Sequence, residues 1–410
     1  MAEPTVRTLR DDERAEASRV VNYGMLGSIA DEVSNAWAEI IVAAQAHGAF
    51  SPTGQLVGLA RYFATDLRVP GGEVRAAGVT AVAVLSNHRR QGHLSRMMRA
   101  QLEAIVEEQI PIALLVAAEW PIYGRYGYGP AIDACGFEID MATAQFRAPA
   151  TGSIELVDPV ALRPELEAAH EARRARTPGA IRRDPLVWER LAGVLQWPGQ
   201  TDDAPGQRRG ALWRDDSGAV RGAVAYKVDD TFVRNRPAGK AEVRLLVGAT
   251  PEAERELWRH LCEIDWIRTV SAGARGVDDP LPLFLEDGRA AAAVDRFDCI
   301  WARILDVPGT LGQRRATQPG AAVVEVVDPL GYASGRWHLE LGPDGAEVAT
   351  TTATADVTLP VAALGAAYLG GPSVHRLHDA GWLDETTPGG VDRLSALLAT
   401  PTAPWSPTTY

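Results

Sequence analysis

The sequence predicts a mixed α/β protein of several domains, and three observations carry that prediction. A strand–helix–strand run occupies 79–118, a second strand-into-helix run occupies 240–261, and a third segment opens near 299 with several strand-like runs followed by helical ones. At 410 residues the chain is too long for one ordinary core and long enough for two or three domains. Its 46% hydrophobic and 23% charged content is that of a folded soluble protein.

In the first run, "QLVGLARYFATDLRV" (55–69) and 74–85 read as strands joined by the turn "PGGE", an antiparallel hairpin. From Gly92 onward, Leu94, Met97, Met98, Leu102, Ile105 and Val106 fall at helical spacing with one buried face. "IALLVAA" (112–118) is continuously apolar, as in a strand buried on both sides. A ligand of such a crossover unit belongs where strand meets helix.

A boundary is expected near "FRAPATGS" (146–153). Beyond it come amphipathic stretches at 160–175 and 184–195, a loop at 197–209, and a hairpin at 210–228 turning at Ser217-Gly218. The strand from 240 enters a helix with Thr250 as N-cap and Pro251 at its first position. This order of elements repeats that of the first run, so a divergent duplication is expected, with "VGATPEAE" standing where the first copy has "LSNHRRQGHL". After "CIWARILDVPGTL" (299–311), strand-like runs at 321–328, 335–341 and 345–358 precede helical patterns at 360–369 and 390–399. The proline-rich end "TPTAPWSPTTY" is not expected to be helical, and such termini are often disordered.

The charged residues limit the function classes. A net charge of −12 argues against nucleic acid as a partner and suits either simple solubility or a cationic substrate. No apolar run approaches a membrane span, "MAEPTVRTLRDDERAEA" lacks a signal-peptide core, and Cys135, Cys262 and Cys299 form no metal pattern. A cytoplasmic protein without a membrane partner is the expectation. His375 and His378 share a helical face but have no third ligand at metal-site spacing, so no metal is expected.

Within "VTAVAVLSNHRRQGHLSRMM" (79–98), Arg89, Arg90 and Gly92 gather where a helix begins. A helix start already carries positive dipole charge, so cations there are unfavourable by about 0.3–1 kcal/mol unless an anion compensates. Free backbone N–H groups, a glycine that admits close approach, and forked guanidinium donors fit a pyrophosphate. The Gly-Lys-Ser/Thr end of a P-loop and a dinucleotide-binding acid are both missing.

Strand, Arg-Arg-x-Gly-x-Leu and amphipathic helix resemble the acetyl-CoA pyrophosphate motif of the GNAT acyltransferases. "VAVLSNHRRQGHL" followed by "EWPIYGRYGYGPA" (119–131) resembles the Eis (enhanced intracellular survival) N-acetyltransferases in particular. The likeness extends over the whole chain and implies tandem GNAT domains followed by a sterol-carrier-protein-like α+β domain carrying "YLGG" (368–371). The expected bounds are 1–150 for the acetyl-CoA-binding domain, 151–298 for a degenerate second one, and 299–410 for the third.

The resemblance also implies residue roles. Acetyl-CoA is expected along Val82, Ala83 and Val84, with its pyrophosphate on Arg89, Arg90, Gln91, Gly92, His93, Leu94 and Ser95, and with Ala118 and Glu119 flanking it. Tyr123 matches a general acid for the departing thiolate; the terminal carboxylate of Tyr410 matches a general base. From the residues alone, Tyr126 and Tyr128 rival Tyr123, and Tyr410 stands where Phe is more familiar. Trp37 matches a position lining the acceptor pocket, or is a core tryptophan; Asp31 and Glu32 read as a solvated helix face. The implied activity is direct N-acetylation of a cationic amine such as an aminoglycoside, by a homo-oligomer, a hexamer in the family. Acetylation of a protein lysine or polyamine is the alternative enzyme, and a non-catalytic acyl-CoA or lipid scaffold is the alternative of another class.

Overall fold

A computed structural model describes residues 5–27, 35, 37–158, 160–185, 187–188 and 208–408. The hairpin read from the sequence is present. β3 (Leu56–Val69) pairs antiparallel with β4 (Gly72–Val84), and β4 then pairs parallel with β5 (Ile112–Leu115). Two further strands, β1 (Thr5–Thr8) and β2 (Ala46–Phe50), extend this half outward from β3. Helix α1 (Arg14–Gly24) and the amphipathic α2 (His93–Glu107) pack on β3 and β4. Met97, Met98, Leu102 and Ile105 of α2 are fully buried, as the spacing predicts. A one-turn helix α3 (Trp120–Tyr123) then leads into β6 (Gly129–Asp140).

The second half repeats the plan. β7 (Ser153–Val157), β8 (Arg208–Arg214), β9 (Val220–Asp229) and β12 (Gly239–Gly248) form an antiparallel run, and β12 pairs parallel with β13 (Ile267–Gly276). Two-residue strands β10 (Phe232–Val233) and β11 (Arg236–Pro237) form a small separate ladder. Helices α4 (Arg163–Arg174) and α5 (Pro251–Cys262) pack on β9 and β12 as α1 and α2 pack on β3 and β4. Of the stretch 184–195, only 184, 185, 187 and 188 are described, and 197–207 lies outside the described residues.

One long strand, β14 (Ala291–Ile304), was not legible in the sequence, and it joins the halves. The large sheet runs β1-β2-β3-β4-β5-β14-β6-β13-β12-β9-β8-β7. The halves have therefore exchanged their last strands. β6 follows β5 in the chain but pairs with β13, while β14 follows β13 but pairs with β5. The strand crosses position 298/299, where the sequence places a boundary.

The third part has a five-stranded sheet, β17-β16-β15-β18-β19, built from β15 (Gly320–Val327), β16 (Gly335–Leu341), β17 (Ala346–Thr350), β18 (Val357–Pro360) and β19 (Asp384–Glu385). The run 345–358 is two strands, because the chain leaves β17 at Thr351 and rejoins the sheet beside β15. Helices α6 (Val361–Ala367), α7 (Val374–Asp379) and α8 (Gly390–Leu398) cover it. A single apolar cluster unites Ile112, Leu114, Ala131 and Ile300 of the large sheet with Val324, Leu359, Leu364 and Tyr368, so the third part is fused to the first half through a dry core. The "YLGG" glycines belong to this seam. A Cβ on Gly371 would lie 2.1 Å from the Ala131 carbonyl oxygen, and Gly370 has φ +83°.

The end of the chain departs from expectation. It is irregular, but Trp405, Ser406 and Thr408 are buried in the crevice between the two halves. Hydrogen bonds offset the cost of burying that non-helical backbone. Trp405 N donates to Pro178 O at 2.9 Å, its Nε1 donates to Ala274 O at 2.7 Å, and Ser406 Oγ donates to Thr408 O at 2.9 Å.

Candidate active site

Beyond Val79 and Leu115, β4 and β5 no longer pair. The cause is a bulge. Opposite Ala60 of β3, β4 carries the extra residue pair Ala81-Val82, and Ala81 adopts φ +54°. Val82 and Val84 are half-buried and Ala83 is buried, and the N–H groups of this stretch that face away from β3 have no β5 partner. A positive φ at a non-glycine residue is a strained conformation held by its surroundings.

Beyond β4, which ends at Val84, α2 begins at His93 without a side-chain cap. Its N-cap is Gly92 at φ +81°, and Arg90 also lies in the left-handed region at φ +63°. The first-turn N–H groups of a helix have no intrahelical acceptors, so those of His93, Leu94 and Ser95 are available to an anion. Arg90, Gln91, Gly92 and Ser95 are exposed there. His93 is buried with neither ring nitrogen bonded, and burial, followed by the charges of His88 and Arg96, lowers its pKa. Arg89 points back, with Nε 3.4 Å from Val84 O and Nη2 3.4 Å from Gly24 O. An uncapped left-handed start, two orphaned imidazole nitrogens and an exposed arginine fit the pyrophosphate of an acyl-CoA.

Tyr123 ends α3, next to this site. Ser95 of the first turn of α2 and Tyr126 of the tyrosine loop bond through their hydroxyls at 3.0 Å, which ties the uncapped helix start to the loop that holds Tyr123. Tyr123 is buried, and its ring meets Tyr128 edge-on at 6.2 Å. Burial raises its phenol pKa, so it stays protonated at neutral pH. The two rivals are placed differently. Tyr126 bonds Ser95, and Tyr128 is fully buried with an unbonded hydroxyl, its pKa pushed up by desolvation. The glycines of "IYGRYGYGPA" explain how the loop is held. Gly127 (φ +82°) rests against Arg303, and a Cβ on Gly129 would lie 1.9 Å from Ala362 O of α6. Arg303 is itself buried and pairs with Asp328 at 2.7 Å, so the third part braces the tyrosine loop.

Ala118 and Glu119 are exposed between β5 and α3. Trp37 is half-buried in a short helical segment whose end meets β3, where Arg61 Nη1 donates to Ile40 O at 2.7 Å. Asp31, Glu32, Thr409 and Tyr410 lie outside the described residues. His375 pairs with Asp392 at 2.7 Å. Cys135, Cys262 and Cys299 are free thiols. Burial raises all three, Cys262 to about 12 and Cys299 to about 11, which keeps them from acting as thiolate nucleophiles at neutral pH. Neither the Ala81 bulge nor the Arg303–Asp328 brace was read from the sequence.

This geometry agrees with what the chain resembles. Residues 5–131 and 179–304 each match an acetyltransferase (GNAT) domain family, and 307–407 match a sterol carrier protein domain. An uncharacterized N-acetyltransferase of Streptomyces griseus is 39% identical over 99% of both chains. N-acetyltransferase Eis of Mycobacterium tuberculosis is 33% identical over 90% of both. The crystal structure of Eis1 from Mycobacterium abscessus superposes with a TM-score of 0.85 at 32% identity, covering 99% of this chain and 100% of that one. The chain belongs to the Eis family of GNAT N-acetyltransferases. It is an acyltransferase, and an acyl-CoA is the donor for this superfamily.

Proposed function

We propose that this Eis-family enzyme uses acetyl-CoA and transfers acetyl directly to amines of a cationic acceptor such as an aminoglycoside. The observation that supports the reading is the Ser95–Tyr126 link, which ties an uncapped helix start to the loop that carries the buried Tyr123. Acetyl-CoA supplies the activated acyl group. Arg90, Gln91, Gly92, His93, Leu94 and Ser95 hold its pyrophosphate, and Val82 to Val84 offer N–H groups that stabilise charge on a carbonyl oxygen. Tyr123 delivers a proton to the departing sulfur, and the terminal carboxylate of Tyr410 takes one from the acceptor ammonium, which is not a nucleophile until it loses it.

The acceptor class is supported by the net charge of −12 and by half-buried Trp37, in the segment whose Ile40 carbonyl accepts from Arg61 of β3. A cytoplasmic homohexamer is the assembly we propose. Exposed Phe232, Trp266, Leu283 and Phe297 support an oligomer, and equilibrium sedimentation tests it. Thiol release from acetyl-CoA with a panel of amines tests the reaction. Release with aminoglycosides is expected; release with lysine peptides or polyamines alone assigns the acceptor to those, and no release with any amine favours the scaffold. Extending the chain past Tyr410 with a tag is expected to remove most activity, and a fully active tagged enzyme excludes the carboxylate as base.

A further inference from the structure

The crevice that receives the C-terminal tail is closed on its first-half side by residues 177–184, which cross from the second half back to β3. Gly179 N donates to Arg68 O at 2.8 Å, Arg68 N to Ala180 O at 2.9 Å, and Arg182 N to Asp66 O at 3.0 Å. This strap carries Arg183, which is buried and reaches the tail with two of its three nitrogens. Nε donates to Thr408 Oγ1 at 2.7 Å and Nη2 donates to Pro407 O. The guanidinium also lies 4.7 Å from the Trp188 ring centroid. Its Nη1 is buried and has no hydrogen-bond partner among the described residues. A cavity of about 250 Å³ opens beside it, lined by Arg183, Arg208, Arg275, Trp405 and Thr408.

We infer that Arg183 is a positioning residue for catalysis: it clamps Pro407 and Thr408 to the strap and thereby fixes where the chain terminus two residues later is delivered. A flexible end makes a poor base, because each unrestrained rotamer and backbone torsion dilutes the productive geometry. Trp405 alone does not set that geometry, since two residues of irregular chain separate it from Thr408. A forked donor on two successive tail residues supplies the missing constraint, and a lysine with its single point charge does not reproduce it. The strap also pairs with β3, the neighbour of the bulged β4, so the tail is referenced to the strand that flanks the transfer site.

The inference rests on the terminal carboxylate being the base, and a double-mutant cycle separates the two ideas. Arg183→Ala is expected to lower kcat by roughly 10²-fold with KM for acetyl-CoA unchanged. Deleting Tyr410 is expected to lower kcat at least as far, and adding Arg183→Ala to that deletion is expected to cost nothing more. Arg183→Lys and the isosteric Thr408→Val test the same clamp without emptying the site, and each is expected to lower kcat less than Arg183→Ala. Losses that multiply in the double variant, or Arg183→Ala, Arg183→Lys and Thr408→Val enzymes all at full rate beside an inactive deletion, overturn the clamp and leave the base in place. A fully active deletion removes the base and the clamp together.

Discussion

The two GNAT halves start from the same plan and resolve their helix starts in opposite ways. In the first, α2 begins at a left-handed, uncapped Gly92 with basic residues around it. In the second, α5 begins at Thr250, whose hydroxyl accepts from Ala253 N at 3.1 Å, with Pro251 occupying a position that needs no N–H. Glu254 of its first turn is fully buried and lies 3.0 Å from Arg173 and 3.6 Å from Arg275. Between β12 and β13, Arg275 Nη1 donates to Leu246 O at 2.9 Å, at the wall of the cavity beside the tail. The second copy supplies its own anion and its own donor where the first leaves room for a ligand. The contrast between the two helix starts is one of internal satisfaction: Thr250 and Glu254 supply at α5 the cap and the anion that α2 lacks.

The sharpest test of this contrast is at Tyr123, which has no counterpart role in the second half. Tyr123→Phe is expected to lower kcat by about 10²–10⁴-fold with acetyl-CoA binding retained, as measured by steady-state kinetics and calorimetry. Because burial raises the phenol, its acid form persists to higher pH than an exposed tyrosine's. The alkaline limb of kcat therefore lies above about 10. A fall below that value assigns the proton donor elsewhere.

Glu254→Gln takes a carboxylate partner from the buried Arg275 and the half-buried Arg173, and a loss of roughly 3 kcal/mol in denaturant unfolding is expected, without change in kcat below the melting range. Gly92→Asp gives the first helix an anion of its own and forces a Cβ into the left-handed region. KM for acetyl-CoA is expected to rise roughly tenfold, and an unchanged KM refutes the pyrophosphate site. The smallest effect belongs to Thr250→Ala, about 1 kcal/mol of stability from the lost cap and no kinetic change.

Local pattern made much of this legible in advance. The β3–β4 hairpin, the buried face of α2 and the Thr250-Pro251 cap follow from alternation, helical spacing and capping chemistry, which act within a few residues. The family likeness singled out the tyrosine loop and the turn before α2, which the Ser95 and Tyr126 hydroxyls tie together at 3.0 Å. What escaped was set by distant partners. β14 looks unremarkable in sequence because its neighbours β5 and β6 lie more than a hundred residues earlier. The proline-rich tail reads as disordered by composition, and is ordered only because Arg183, Ala274 and Pro178 wait for it across the fold.

The strand exchange sets a schedule for synthesis. The first half cannot close its sheet when its own last strand emerges, because the place beside β5 belongs to residues 301–304. At ribosomal rates of about 5–20 residues per second, the edge of β5 stands open for roughly ten to forty seconds after it leaves the tunnel. An unpaired apolar edge held open that long invites pairing with another nascent chain. The bare acyl-CoA-binding half is therefore a poor candidate for expression alone, and the intact chain is one whose yield should respond to chaperones that shield β-edges.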